Sequence, residues 1–385
     1  MGAEQIGVRA YAGAMCRVRL GILGGGQLGR MLALAAHELG VQTRCWDQRE
    51  DAVAGHVGGL HVDDFQRPAR LDAFLRGVDV VTTEWENVPV ALLEEIERRG
   101  VPVRPGSLAL RVAQDRVLEK NLARSLGIPT PAFVAAGTLG ELEGAVREVG
   151  LPCVVKTRRF GYDGKGQVVV RKAEEVAACW GALGATAGGL IVEGFVPFAR
   201  ELSIIAARGV DGQTRFYPLV CNEHAGGILR VSTSPAEGVS EGVRARAEEY
   251  AGGVLGALEY VGVLAIELFE VGGELVFNEI APRVHNSGHW TIDASATSQF
   301  ENHVRAVLGL PLGDAGMVAP GVHAGMVNLI GSMPDAREVL RIAGAKLHDY
   351  AKEARAGRKL GHVNVLASSR GELMERIGQV RGLLR

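Results

Sequence analysis

The chain has 385 residues, 47% of them hydrophobic, and its 42 basic and 44 acidic side chains leave a formal net charge of −2. That length predicts two to three domains of roughly 100–200 residues with a sizeable core, and the balance excludes the basic field that duplex DNA binding needs. No apolar run approaches the roughly 18 residues of a membrane span, and five scattered cysteines (Cys16, Cys45, Cys153, Cys179, Cys221) without a C-x-x-C pair read as reduced thiols of a cytoplasmic protein.

Residues 1–14, MGAEQIGVRAYAGA, lack the apolar stretch of a secretory signal and read as a short disordered leader. RVRLGILGGGQLGRMLALAAHELG (17–40) then reads as strand, glycine turn and helix, with Leu28, Met31, Leu32, Ala35, Ala36 and Leu39 at helical spacing. VQTRCWD is a second strand, and VDVVTTEWENVP (78–89) another that ends in polar residues. This alternation predicts a doubly wound parallel-sheet α/β domain over 15–115, with ligands at the carboxyl ends of its strands. From residue 116 the texture changes to an α+β domain reaching 303. It opens with the charged helix of DRVLEKNLARSLGIPTP and continues with the hairpin LPCVVKTRRFGYDGKGQVVV and the strands of LIVEGFVPFARELSIIAAR. A second hairpin, VLAIELFEVGGELVFNEIAPR, follows a long helix. Residues 304–385, with GVHAGMVNLIG, AKLHDY and GHVNVLAS, read as a small C-terminal β-rich domain.

Gly24, Gly26 and Gly29 form G-x-G-x-x-G between a strand and a helix, with Asp47 ending the next strand. Alone this is compatible with a dinucleotide fingerprint, with a tight packing turn, or with a helix N-terminus holding some other phosphate. An oxidoreductase built on it leaves two other features unexplained. One is the second hairpin. A three-residue loop of Gly272, Gly273 and Glu274 pairs Val271 with Leu275 and sets Glu267 directly opposite Glu279. Two carboxylates about 4.5–5.5 Å apart at Cβ in apolar strands repel each other, and a hard divalent cation between them removes the repulsion. The other is Lys156, closing an apolar strand just before GYDGKGQ (161–167), where glycine-freed N–H groups can fold over phosphate oxygens. In IVEGFVPFARELS, Glu193 and Glu201 suit an adenine edge and a ribose, or a plain solvated turn. NEIAPRVHNSGHWT (278–291) concentrates Arg283, His285, Asn286, Ser287 and His289 as for an anion, without a zinc spacing. EARAGRKLGHV (353–363) adds Arg355, Arg358 and Lys359, an anion site or a solvated basic loop.

Lys156, GYDGKGQ, VEGFV and the Glu267/Glu279 pair together resemble the ATP-grasp ligases. GILGGGQLGRM, TTEWENVP, NEIAPRVHNSGHWT and GRKLGHVN are similar to one branch of them, the N5-carboxyaminoimidazole ribonucleotide synthetases of purine biosynthesis, from Met15 to beyond residue 366. Val284 and Ala356 stand where that family usually has proline, and Lys165 where it often has arginine, so a bidentate contact is lost. The resemblance implies an ATP-grasp fold and a ligase joining bicarbonate to 5-aminoimidazole ribonucleotide through carboxyphosphate. It implies ATP on Arg116, Lys156, Gly161, Tyr162, Asp163, Gly164, Lys165, Gly166, Gln167, Glu193, Gly194, Phe195, Val196, Glu201, His224, Asn278 and Glu279. Mg²⁺ or Mn²⁺ would lie on Glu267 and Glu279. Glu84, Tyr162, Lys165, Arg283, His285 and Lys359 would surround bicarbonate and the reacting amine. Gln27, Asn286, Ser287 and Arg358 would hold the ribonucleotide, with the glycine turn beside its phosphate. It further implies a cytoplasmic homodimer whose partners are small molecules, neither nucleic acid nor membrane.

Overall fold

The computed structural model describes residues 18–67, 70–161, 164–184 and 188–384; the expected leader, Tyr162 and Asp163 lie outside them. Strands Arg19–Leu23, Gln42–Asp47, Gly59–Val62 and Val80–Thr83 pair in parallel, with Arg19–Leu23 between Gln42–Asp47 and Val80–Thr83. Alternate residues of a strand face opposite ways. Leu20 and Ile22 accordingly pack with Leu28, Leu32 and Ala36 of helix Gln27–Glu38, while Leu23 packs with Leu92, Leu93 and Ile96 of helix Val90–Arg98. The sheet is thus covered on both faces, as the strand–helix alternation predicts. Its carboxyl edge carries Gly24 to Gly26, Asp47 and Glu84.

A nine-stranded antiparallel sheet forms the centre. Its order runs Glu274–Ala281, Gly262–Val271, Arg200–Arg208, Val220–Ala225, Ile228–Ser234, His323–Ile330, Lys359–Ala367 and Ala345–Asp349, with Thr214–Phe216 paired on Arg200–Arg208. The C-terminal strands continue this sheet through the pairing of Ile228–Ser234 with His323–Ile330. Helix Glu241–Ala257 contributes Val243, Ala247, Ala251, Val254 and Leu255 to the core beneath it.

The third sheet is small and antiparallel, in the order Phe133–Ala136, Leu190–Gly194, Cys153–Thr157, Gln167–Val170. Helices Leu139–Val149 and Val176–Leu183 cover it and close a separate core of Leu142, Val146, Val155, Val170, Val176, Leu190 and Val192. This unit carries Lys156, Glu193 and the described glycines of the GYDGKGQ loop over the central sheet.

Helix Gln299–Leu308 joins the first sheet to the second. The Val263 N–H donates to His303 Nδ1 at 3.0 Å, so Nε2 keeps the proton and donates to Thr82 Oγ1 at 2.7 Å. Complete burial pushes the His303 imidazole down to about 3. An unfolded histidine takes its proton near 6.5, about that value for an unperturbed side chain. The group therefore contributes its stability fully above that pH and loses it as pH falls toward 3. Between pH 7 and about 5, this group alone should cost about 2 kcal/mol of folding free energy in urea titrations. His303→Gln should be less stable at neutral pH yet show a correspondingly shallower acid loss; an unaltered pH dependence would acquit His303.

Candidate active site

The second hairpin sets Glu267 opposite Glu279, but by a different route from the three-residue loop expected. The turn holds only Gly272 and Gly273, both at positive φ, and Val271 faces Glu274. That register alone would turn Glu279 away. A bulge restores it: Leu268 pairs with Phe277, Glu267 with Glu279, and Asn278 is the extra residue. Lys120 Nζ donates to the Asn278 carbonyl at 2.9 Å and steadies the bulge. Burial and the neighbouring Glu279 raise the Glu267 carboxyl to about 7. Glu279 is more exposed, and although desolvation opposes it, Arg116, 2.5 Å away, and Lys156 hold its carboxyl at about 2. The pair suits a hard cation. Among the described residues no cluster of three or more metal-ligating side chains exists, so two carboxylates would leave the remaining positions to phosphate and water, as Mg²⁺ prefers.

Above the pair, Lys156 reaches Glu193 Oε2 at 3.0 Å and Asn278 Oδ1 at 3.4 Å, while the wholly buried Lys120 reaches the same Glu193 oxygen at 3.3 Å. Glu193 Oε1 is buried and accepts no hydrogen bond from any described residue, leaving an acceptor for a ligand. Stacked Phe198 and Phe269, 4.6 Å between centroids, stand nearby, and His224 Nδ1 lies 2.7 Å from Glu201 Oε2. Loop glycines are required by close approach. Gly164 and Gly166 have positive φ, and a Cβ would sit 2.7 Å from Gly227 Cα at the first and 2.6 Å from Thr157 Oγ1 at the second. Gly164 thus seats against the tip of the Val220–Ala225/Ile228–Ser234 hairpin.

On the far wall the glycine turn departs from expectation. The Gly25 N–H donates to Asp47 Oδ2 at 2.8 Å, and the N–H groups of Gly26 and Gly29 donate to the two oxygens of Glu84 at 2.8 and 3.0 Å. A carboxylate of the protein itself takes the anion seat at this helix N-terminus. Both the dinucleotide reading and the expected contact of the turn with a ribose phosphate are corrected on that ground. Gln27 remains at the surface of the cleft and is held by Lys352, whose ammonium burial brings down to about 8.

His285 is fixed by a directed chain. Asn222 Nδ2 donates to Ser203 Oγ at 2.9 Å, and the Ser203 hydroxyl donates to Ser287 Oγ at 2.8 Å. Ser287 then lies 2.8 Å from His285 Nδ1, so the chain ends with Nε2–H facing Glu267 Oε1 at 3.3 Å. Burial and Arg283 push this imidazole down to about 3, so it is neutral and offers an N–H. Ser287 has no exposure and supports His285 instead of touching a ligand, a correction to its expected role. Arg283 pairs with Glu86, and Asn286 exchanges hydrogen bonds with Asn328.

One cleft of about 830 Å³ gathers these groups. Its lining includes Gln27, Glu84, Arg116, Lys156, Gly161, Gly164, Lys165, Gln167, Glu193, Gly194, Phe195, Val196, Glu201, His224, Glu267, Asn278, Glu279, Arg283, His285, Asn286 and Lys359. Gly166 lies behind it on Thr157, and Arg358 bonds the Glu353 carbonyl, outside the lining. Lys120, Glu86 and Lys352 were not anticipated. The only sequence signal for them is spacing: Lys120 stands four residues after Arg116 on one helix face, and Glu86 two residues after Glu84.

Residues 17–114 match the ribonucleotide synthetase preATP-grasp domain, residues 121–300 the ATP-grasp domain, and residues 324–376 the phosphoribosylaminoimidazole carboxylase C-terminal domain. Over 370 residues the chain is 46% identical to the N5-carboxyaminoimidazole ribonucleotide synthase of Pseudomonas aeruginosa, covering 95% of this chain and 99% of that one. The crystal structure of the synthetase from Thermus thermophilus superposes with a TM-score of 0.90 at 50% identity, over 95% and 98% of the two chains. The Aspergillus clavatus enzyme solved with ADP and 5-aminoimidazole ribonucleotide gives a TM-score of 0.88 at 30% identity, over 96% and 99%. With likeness over nearly its whole length added to a cleft lined by Lys156, Lys165 and the opposed carboxylates Glu267 and Glu279, the chain belongs to the N5-carboxyaminoimidazole ribonucleotide synthase family of ATP-grasp ligases.

Proposed function

We propose that this enzyme uses ATP to carboxylate the exocyclic amine of 5-aminoimidazole ribonucleotide with bicarbonate, a step of purine biosynthesis. One observation carries the reading: a single cleft joins a nucleotide wall (Lys156, Glu193, Glu267, Glu279) to a second wall of Arg283, His285 and Lys359. The Aspergillus relative's complex with ADP and 5-aminoimidazole ribonucleotide supports binding of both ligands by one protein of this family. A bicarbonate oxygen attacks the γ-phosphorus and ADP leaves, giving carboxyphosphate. Loss of phosphate releases CO₂, the amine forms the new C–N bond, and its proton passes to phosphate. Arg116 and Lys156 bind phosphate oxygens, Glu193 takes the adenine edge, and Glu201 with His224 the ribose. Glu267 and Glu279 would hold Mg²⁺ or Mn²⁺, which neutralises phosphate charge when bound. Arg283, the His285 N–H and Lys359 orient bicarbonate, and the glycine loop excludes water from the labile intermediate. Gln27, with Lys352 behind it, meets the ribonucleotide. A cytoplasmic setting accords with the free cysteines Cys45, Cys153, Cys179 and Cys221; the homodimer rests on the family resemblance.

ATP hydrolysis should be slow with bicarbonate alone and rise sharply with 5-aminoimidazole ribonucleotide. Labelled bicarbonate should then appear in an acid-labile carbamate, one label per ATP consumed. Stimulation by formate or glycinamide ribonucleotide instead would replace this reaction with another on the same fold.

Lys359→Ala should lower the stimulated rate by about a hundredfold while ATP affinity, measured by calorimetry, stays within about twofold, because Lys359 comes from the wall opposite the nucleotide. Glu267→Gln should lower turnover by at least about a hundredfold without lowering the melting temperature, since it deletes a charge that burial and Glu279 already disfavour. A variant that melts earlier would assign Glu267 to the fold.

A further inference from the structure

Helix Arg116–Ser125 presents Arg116, Glu119 and Lys120 on one buried face. Glu119 is 2% exposed, and its Oε2 accepts the Ile280 N–H at 3.1 Å. Its other oxygen lies 3.8 Å from Arg116 Nη1, the same nitrogen that sits 2.5 Å from Glu279 Oε2. Arg116 therefore stands between two acidic side chains, tight on Glu279 and loose on Glu119, whose carboxyl burial raises above its usual range. A cation that takes Glu279 through Oε2 competes with Arg116 for that oxygen, and a largely buried guanidinium left without a partner is strongly unfavourable.

We propose that Glu119 is a positioning residue for the cation site: a second seat onto which Arg116 shifts, so that Glu279 is released to the metal with the guanidinium still paired. This rests on reading Glu267 and Glu279 as that site. Arg116 holds the site closed in the absence of metal, and Glu119 makes the exchange possible. The Ile280 contact separates this role from a structural one, because Glu119→Gln keeps an acceptor for that N–H and removes only the ability to carry a charge opposite Arg116.

The test measures binding of Mn²⁺ alone, without nucleotide, by water-proton relaxation. Glu119→Gln should weaken Mn²⁺ about tenfold with an unchanged melting temperature. In an Arg116→Met background the same substitution should cost less than about twofold, because the coupling runs through the guanidinium. Arg116→Met by itself should tighten Mn²⁺ by at least about threefold, a readout that stands even if Glu119→Gln folds poorly. Wild-type affinity in Glu119→Gln, an equal loss in both backgrounds, or no tightening in Arg116→Met would each overturn the inference. Failure of the wild type to bind Mn²⁺, or unaltered binding by Glu267→Gln, would instead overturn the cation site itself.

Discussion

The buried ammonium of Lys120 is the constraint on which the cleft depends. It has no exposure, and it reaches Glu193 of the small sheet and the Asn278 carbonyl of the central sheet. Lys156 shares the same Glu193 oxygen. A charge taken this far from water is tolerated only if its partners stay in place. The two sheets are therefore held at a spacing that leaves room for a nucleotide between them, and the Asn278 bulge is held with them. Without the bulge, the two-glycine turn would leave Glu279 on the wrong face.

Across the cleft the same logic acts through neutralised backbone charge. A helix N-terminus that could take a phosphate is filled by Glu84 and flanked by Asp47 on Gly25. Gly24 has φ +109, and a Cβ there would lie 2.4 Å from Glu84 Cγ, so the glycines permit the carboxylate to come in. The turn thus positions Glu84 on the wall facing Arg283 and His285. The hydroxyl chain from Asn222 through Ser203 and Ser287 does the same for His285, fixing which nitrogen carries the proton.

Much of this was legible in the linear order. Helical spacing located Gln27–Glu38, and alternation located the parallel strands around it. A lysine ending an apolar strand before a glycine loop, and two glutamates flanking a Gly-Gly turn, pointed to phosphate and cation. Ser287 misled because a polar run looks the same whether its members face a ligand or each other. Lys120 escaped because a lysine in a charged helix normally faces water, and its burial follows only once two sheets close over it.

Sequence by itself therefore determined the element types, the family and most of the residues that line the cleft, since periodicity and short motifs are written in neighbouring positions. Tertiary structure alone decided the route by which Glu267 meets Glu279, the occupant of the helix N-terminus and the tautomer of His285. Each depends on a group far along the chain: Lys120 lies 158 residues from Asn278, Glu84 lies 58 from Gly26, and Ser203 lies 84 from Ser287. Local propensity carries no information about such partners. They are chosen by the requirement that nearly all buried charges and donors be satisfied once the sheets have packed.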